Sequence, residues 1–268
     1  MDLPGHLPWD RATAADLAGV QGVLTDIDDT LTRDGAIEPA ALEALHRLAA
    51  AGRPCIAITG RPAGWSEPFA LDWPVAAIVA ENGSVMLRGE GGRLRHDFSQ
   101  DADTRAANAR RLQACAADVL ARVPGATLAQ DSAGRLTDIA VDHSEFAHLD
   151  PAQIDAVVAV MREHGLTATV SSIHVNGWIG GHSKWTAARW AVEAVLGCAF
   201  VPGEWLYVGD STNDQLMFEH LPRSVGVANV ARFWPRLAHR PRWVTRAERG
   251  QGFAEVVERL LQAPSPRN

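Results

Sequence analysis

The chain has 268 residues, 47% of them hydrophobic and 21% charged, with a formal charge of -7. That suits a globular protein of one large or two smaller domains, and the acidic balance lacks the basic field of a general nucleic-acid binder. No run approaches the roughly 18 apolar residues of a membrane span, and residues 1–21, with Asp2, Asp10 and Asp16, lack the basic-then-apolar pattern of a signal peptide.

Gly22-Val-Leu-Thr-Asp-Ile-Asp reads as a buried strand opening into an acidic loop. A helix follows from Pro39 to Ala51, with Leu42, Leu45 and Leu48 at helical spacing, proline near its start and Gly52 just past its end. Cys55 to Ile58 is a second apolar strand, halted by Thr59-Gly60-Arg61-Pro62, and Val75 to Ala80 a third, ending at Glu81-Asn82-Gly83. Strand, helix, strand at this spacing predicts a parallel sheet covered by helices.

The pattern changes after about Gly89. Asp101 to Val123 reads as a helix, Thr127 to Val141 as two strands around Ser132-Ala133-Gly134, and Pro151 to His164 as another helix. Leu166 to Ile179 alternates like a pair of strands broken near Ser171-Ser172. Strands joined by short turns predict an antiparallel sheet, so this section reads as an inserted domain. From Ser183 the parallel pattern resumes, with a helix over Lys184 to Leu196, strands over Trp205 to Val208 and Ser224 to Val227, and a helix between them from about Asp214. The tail, Ala263 to Asn268, carries two prolines and reads as frayed. Three scattered cysteines, Cys55, Cys115 and Cys198, form no C-x-x-C pair and fit a reducing cytoplasm.

Two acidic clusters carry the chemistry. Asp26-Ile27-Asp28-Asp29-Thr30 follows the first strand directly, and residues two apart in extended chain face one way, so Asp26 and Asp28 can share a site. Gly209-Asp210-Ser211-Thr212-Asn213-Asp214 also follows an apolar strand. A helix N-cap at Asp210 or Asn213 would explain one of those acids, not both. Carboxylates gathered at one rim of a sheet repel one another unless a cation intervenes, and hard oxygen ligands too few for a closed cage favour Mg²⁺. Thr59 puts a hydroxyl at a third strand end beside Gly60, and Lys184 opens a helix after Gly180-Gly181-His182-Ser183, where an anion is favoured.

In this order the four segments resemble the haloacid dehalogenase-like superfamily, in its first motif (Asp26-x-Asp28-x-Thr30), second (Thr59), third (Lys184) and fourth (Gly209-Asp210-x-x-Asn213-Asp214). The resemblance spans nearly the whole chain. It implies an α/β fold: a Rossmann-like parallel-sheet core, residues 1–88 and 181–268, with an inserted α+β cap, residues 89–180, that selects the substrate. Such an insertion is similar to the large-cap subgroup that includes Cof-type, sucrose-phosphate and mannosyl-phosphoglycerate phosphatases, and Asn82-Gly83 is similar to a substrate-proximal pair there.

The activity implied is Mg²⁺-dependent hydrolysis of a small phosphorylated metabolite (a sugar, polyol or glycerate), with no nucleic-acid or membrane partner. Asp26 would be the nucleophile and Asp28 the acid and base, with Mg²⁺ held by Asp26, Asp210 and the backbone carbonyl of Asp28. Asp214 is either a further ligand or the partner that positions Lys184; Thr59 and Lys184 would hold phosphate oxygens, and Asn213 would bind phosphate or orient its neighbours. His174, Asn176 and Trp178 alternate on the strand leading back to Lys184 and would face the substrate if they are not simply one packed face of the cap sheet. A sugar phosphomutase on the same fold and a non-catalytic sugar-phosphate sensor are the competing readings, although no compact arginine cluster for a second phosphate lies near that strand.

Overall fold

A computed structural model describes residues 5–263. Asp2 and the tail from Pro264 onward, read above as frayed, lie outside the described residues. Nine strands form one large sheet, in the spatial order Leu7–Pro8, Trp243–Val244, Ser224–Gly226, Trp205–Gly209, Gly22–Thr25, Cys55–Ile58, Ala77–Ala80, Val85–Glu90 and Arg93–Phe98. The first seven run parallel and the last two form an antiparallel hairpin at one edge.

Period-two alternation makes the central strands two-faced. Val23, Ala57, Leu206 and Val208 pack to one side with Leu45, Leu48, Phe253 and Val256. Leu24, Ile56, Ile58, Trp205 and Tyr207 pack to the other with Ala187, Ala188, Ala191 and Val192. The helix Pro39–Ala50 starts with proline in its first turn, where the missing N–H costs nothing, and buries Ala41, Ala44, Leu45 and Leu48. Parallel register sets Thr25 beside both Val208 and Ala57, so three strands reach the same rim and Asp26, Asp210 and Thr59 emerge together.

The middle section is a second unit. Its four-stranded antiparallel sheet runs Thr167–Val170, His174–Trp178, Asp138–Asp142 and Thr127–Leu128. Val141 and Val175 pack with Leu112, Cys115, Val119, Ile154, Val157 and Met161 of the helices Ala102–Arg122 and Pro151–Glu163. His174 and Asn176, one residue out of phase with Val175, therefore point away from those helices.

The hairpin at the sheet edge is what the pattern hid. The sequence placed the start of the insertion at residue 89, but the chain stays in the large sheet until Phe98. Gly91 and Gly92, at φ 58° and 76°, make the two-residue turn that a right-twisted hairpin needs.

Gly22 opens the central strand in a space closed on both sides: a β-carbon there would lie 2.5 Å from the Trp205 ring and 2.6 Å from the Pro54 carbonyl oxygen. Gly22→Ala is expected to destabilise the protein by about 1–3 kcal/mol, read as a lower denaturant midpoint at unchanged slope.

Candidate active site

The backbone amide of Asp26 donates to the Val208 carbonyl at 2.9 Å, which carries the ladder one residue past the strand and fixes Asp26 beside Gly209-Asp210. Lys184 joins the two acidic clusters. Its ammonium donates to Asp26 Oδ1 at 2.6 Å and to Asp214 Oδ1 at 2.7 Å, with the lysine only 3% exposed. Ligand oxygens of Asp26, Asp210 and Asp214 all lie within 4.8 Å of one another.

The three acids do different work. Asp214 accepts from Lys184 and the Tyr207 hydroxyl on one oxygen, and from the amides of Asp210 and Ser211 on the other. Both oxygens are thus occupied, so although Asp214 is near enough to be an ion ligand, its contacts make it the residue that holds Lys184. Gly209 permits this, because a β-carbon there would lie 2.5 Å from Asp214 Oδ2. Asp210 is fully buried; its Oδ2 accepts from Asn229 at 3.1 Å and its Oδ1 has no partner. A buried carboxylate oxygen accepting nothing, beside a second carboxylate, is the donor arrangement of a hard divalent cation.

Burial pushes the Asp26 carboxyl up to about 8, with Lys184 opposing and the charges of Asp214 and Asp28 adding to it. Burial, then Asp26 and Asp214, push Asp210 well above the usual carboxylate range. Burial works against the Lys184 ammonium, but Asp214 and Asp26 outweigh it and hold the lysine above its usual range.

Asp28 is not among the acids whose oxygens gather within 4.8 Å of one another, and Arg61 Nε lies 2.9 and 3.1 Å from its two oxygens. Arg61 is a site contact that sequence reasoning missed. It is 4% exposed, it follows Thr59-Gly60 directly, and it reaches Asp131 at 3.1 Å and Glu145 at 2.7 Å in the middle section. An arginine in a loop between two motifs gave no periodic signal, and its partners are distant in sequence.

The second-motif loop gathers several of the expected substrate contacts. Thr59 Oγ accepts from the Arg61 amide at 3.0 Å, which leaves its own proton to donate. A β-carbon at Gly60 would lie 3.2 Å from Asn176 Oδ1 and 3.3 Å from Asn82 Oδ1, and Asn176 donates to the Gly60 carbonyl at 3.1 Å. The Asn82 amide nitrogen is buried with no partner, and Asn82 stands at φ 55°, a strained value for a non-glycine residue. Asn213 instead receives the Ser211 hydroxyl at 3.0 Å.

His174 donates to Glu145 at 2.9 Å. Trp178 does not join these residues. Its indole stacks on His182 and its N–H donates to the His182 carbonyl at 2.9 Å, at the linker between the two units. A cavity of about 440 Å³ at that linker, bordered by Phe98, Gln100, His182 and Trp190, touches none of the clustered acids. The cavity that reaches Asp28 and Arg61 is about 360 Å³.

The family model for haloacid dehalogenase-like hydrolases matches residues 23–109, which include the first and second motifs. A phosphoglycolate phosphatase from Methanoculleus marisnigri is 30% identical over 244 residues, 88% of this chain and 95% of that protein. Among solved structures, a Thermoplasma acidophilum protein superposes with a TM-score of 0.69 at 19% identity, covering 90% of this chain and 98% of the other. The sucrose-phosphatase of Synechocystis, solved with sucrose and phosphate, gives 0.65 at 17% identity over 90% of this chain and 98% of its own. At those identities the two structures speak for the fold. The sequence match over most of both chains goes further: the chain belongs to the haloacid dehalogenase-like hydrolases and is an enzyme of their phosphatase type.

Proposed function

We propose that the enzyme is a Mg²⁺-dependent phosphomonoester hydrolase that forms an aspartyl phosphate on Asp26, and that it acts on a small phosphorylated sugar, polyol or glycerate. The observation that carries this reading is the charge of the buried cluster. Asp26, Asp210 and Asp214 bring three carboxylates against the single ammonium of Lys184, a formal excess of two negative charges, and one Asp210 oxygen has no partner. One divalent cation balances that excess. Asp26, Asp210 and the Asp28 carbonyl would hold it, and when bound it supplies charge neutralisation between the attacking carboxylate and the phosphoryl oxygens.

The residues then divide the reaction. An Asp26 oxygen attacks phosphorus while the bond from phosphorus to the ester oxygen breaks and that oxygen takes a proton from Asp28. Asp28, now a carboxylate, takes a proton from water as the water oxygen attacks phosphorus, and the bond to Asp26 breaks to release phosphate. Lys184, Thr59 and the unpartnered Asn82 amide offer donors to the phosphoryl oxygens. Arg61 positions Asp28 from both of its oxygens.

We take the middle section as the cap that reads the leaving group, since Asn176, Glu145 and Asp131 reach the second-motif loop from it. The cysteines form no disulfide and no helix among the described residues is long and apolar enough to cross a membrane; the former supports a reducing, cytoplasmic setting. A sugar phosphomutase would need donors for a second phosphate, and Arg110 and Arg111, the pair the sequence offers, lie on the helix Ala102–Arg122, whose buried side packs on the far face of the cap sheet.

Asp26→Asn is expected to lower Mg²⁺-dependent hydrolysis of 4-nitrophenyl phosphate by at least about 1,000-fold while the circular dichroism spectrum is unchanged. Retained activity in that variant would end the nucleophile assignment. A second expectation concerns pH. With the Asp26 carboxyl near 8 in the fold and an ordinary value of 3.8, the folded state binds the extra proton, so its contribution to stability is full below about 4 and is lost as pH rises through about 8. Metal-free protein should therefore melt at lower temperature at about pH 8 than at about pH 5, and Mg²⁺ should raise the melting temperature more at the higher pH.

A further inference from the structure

The cap presents one loop to the catalytic acid, and a single side chain sets its shape. Asp142, 1% exposed, accepts from four consecutive amides: Ser144 at 3.1 Å, Glu145 at 2.9 Å, Phe146 at 2.9 Å and Ala147 at 3.1 Å. Such a carboxylate grips the backbone whether or not a ligand is present. From this loop Phe146, 62% exposed, stands at the rim of the cavity that reaches Asp28, and Glu145 points inward. Glu145 meets Arg61 at 2.7 Å and His174 at 2.9 Å. Burial works against its charge, but hydrogen bonds from His174 and Arg61 hold the carboxyl down at about 2, so Glu145 is an anion at any ordinary working pH.

The least exposed cations around the cavity are already engaged by carboxylates of the protein. Its walls carry the carboxylates of Asp28, Asp29, Asp34 and Glu145 and the guanidiniums of Arg61, Arg232 and Arg249. Arg61 is engaged by Asp28, Asp131 and Glu145 through all three of its nitrogens. Arg249 meets Asp29 at 2.6 Å and Glu248 at 3.6 Å, and Arg232 meets Glu248 at 3.7 Å. The two least exposed arginines, Arg61 and Arg249, are thus held by hydrogen-bonded carboxylates, whereas Arg232 is 53% exposed and beyond hydrogen-bond distance of Glu248. A carboxylate on the leaving group would have to displace one of the less exposed pairs or turn out to the exposed Arg232, and within the cavity it would face Glu145, where like charges in a half-buried site repel. Hydroxyl groups meet the opposite situation. Carboxylates such as Glu145 and Asp34 accept from them, and the Ser172 and Ser144 edge of the same cavity is polar and uncharged.

We infer that Glu145, carried on the loop braced by Asp142, is the specificity-determining residue of this active site, and that it selects a phosphomonoester with an uncharged, hydroxyl-bearing leaving group over one that carries a carboxylate. This rests on the phosphatase reading above and narrows it: glycerates and glycolates are excluded, sugars and polyols retained.

The test is a set of kcat/KM values with Mg²⁺ for 4-nitrophenyl phosphate, for uncharged esters (glycerol 1-phosphate, sorbitol 6-phosphate, glucose 6-phosphate), and for phosphoglycolate and 3-phosphoglycerate. The wild-type enzyme should favour its best uncharged ester over either acid by at least about tenfold. Glu145→Gln, which keeps the shape and removes the charge, should shrink that ratio by about tenfold through a gain on the acids. A purely structural role would lower all esters alike and leave the ratio where it was, which would overturn the assignment to Glu145. Preference for phosphoglycolate or 3-phosphoglycerate by the wild-type enzyme, with 4-nitrophenyl phosphate also hydrolysed, would overturn the substrate class and leave the phosphatase standing. No hydrolysis of any ester would instead remove the phosphatase reading, and the inference with it.

Discussion

Carboxylates that share a dry pocket repel one another, and the arrangement of this molecule follows from how that repulsion is relieved. Asp26 and Asp210 follow neighbouring strands, and the Asp214 carboxylate folds back beside them into space that a β-carbon at position 209 would take. Lys184 relieves part of the repulsion by contacting two of the three acids. The remainder appears in the raised carboxyls of Asp26 and Asp210 and in the Asp210 oxygen that accepts nothing. A site in this condition is unfavourable to the fold without a partner ion, and is for the same reason prepared for a cation and a phosphate together.

A second electrostatic group, centred on Arg61, links this cluster to the middle section of the chain. One guanidinium contacts the proposed acid and base, Asp28, and two carboxylates of the inserted unit, Asp131 and Glu145. Nearby, Arg135 donates to the Gly60 carbonyl and to Asp138, while Glu81, fully buried, accepts from the amides of Leu136 and Thr137. The seam between the two units is therefore polar and hydrogen-bonded, unlike the apolar cores on either side of the sheet. Contacts of that kind can be exchanged for water at little net cost.

Burial also explains why some expected contacts are absent. Trp178 alternates with His174 and Asn176 along one strand, yet its ring covers His182 where the chain crosses back to Lys184. Asn213 lies in the fourth motif but bonds within its own turn, where it fixes the Ser211 hydroxyl and with it the loop carrying Asp210.

The sequence by itself determined the central parallel strands, the acids at their ends and the antiparallel inserted unit, because each is written in local signals: apolar runs of strand length, alternation with period two, and acids set directly after them. It could not determine what depends on contacts across long stretches of chain. Arg61 acquires its role from Asp131 and Glu145, far along the chain, and Asn229 from reaching Asp210. The hairpin that ends at Phe98 depends on its pairing with the edge of the large sheet, Val85 opposite Ala80 and Phe98 opposite Val85. Asp214 became the holder of Lys184 only once the fold had brought Tyr207 and two backbone amides to its oxygens. Strand ends bring residue types to a rim through local chain geometry, whereas which partner each one meets is decided by packing between distant segments.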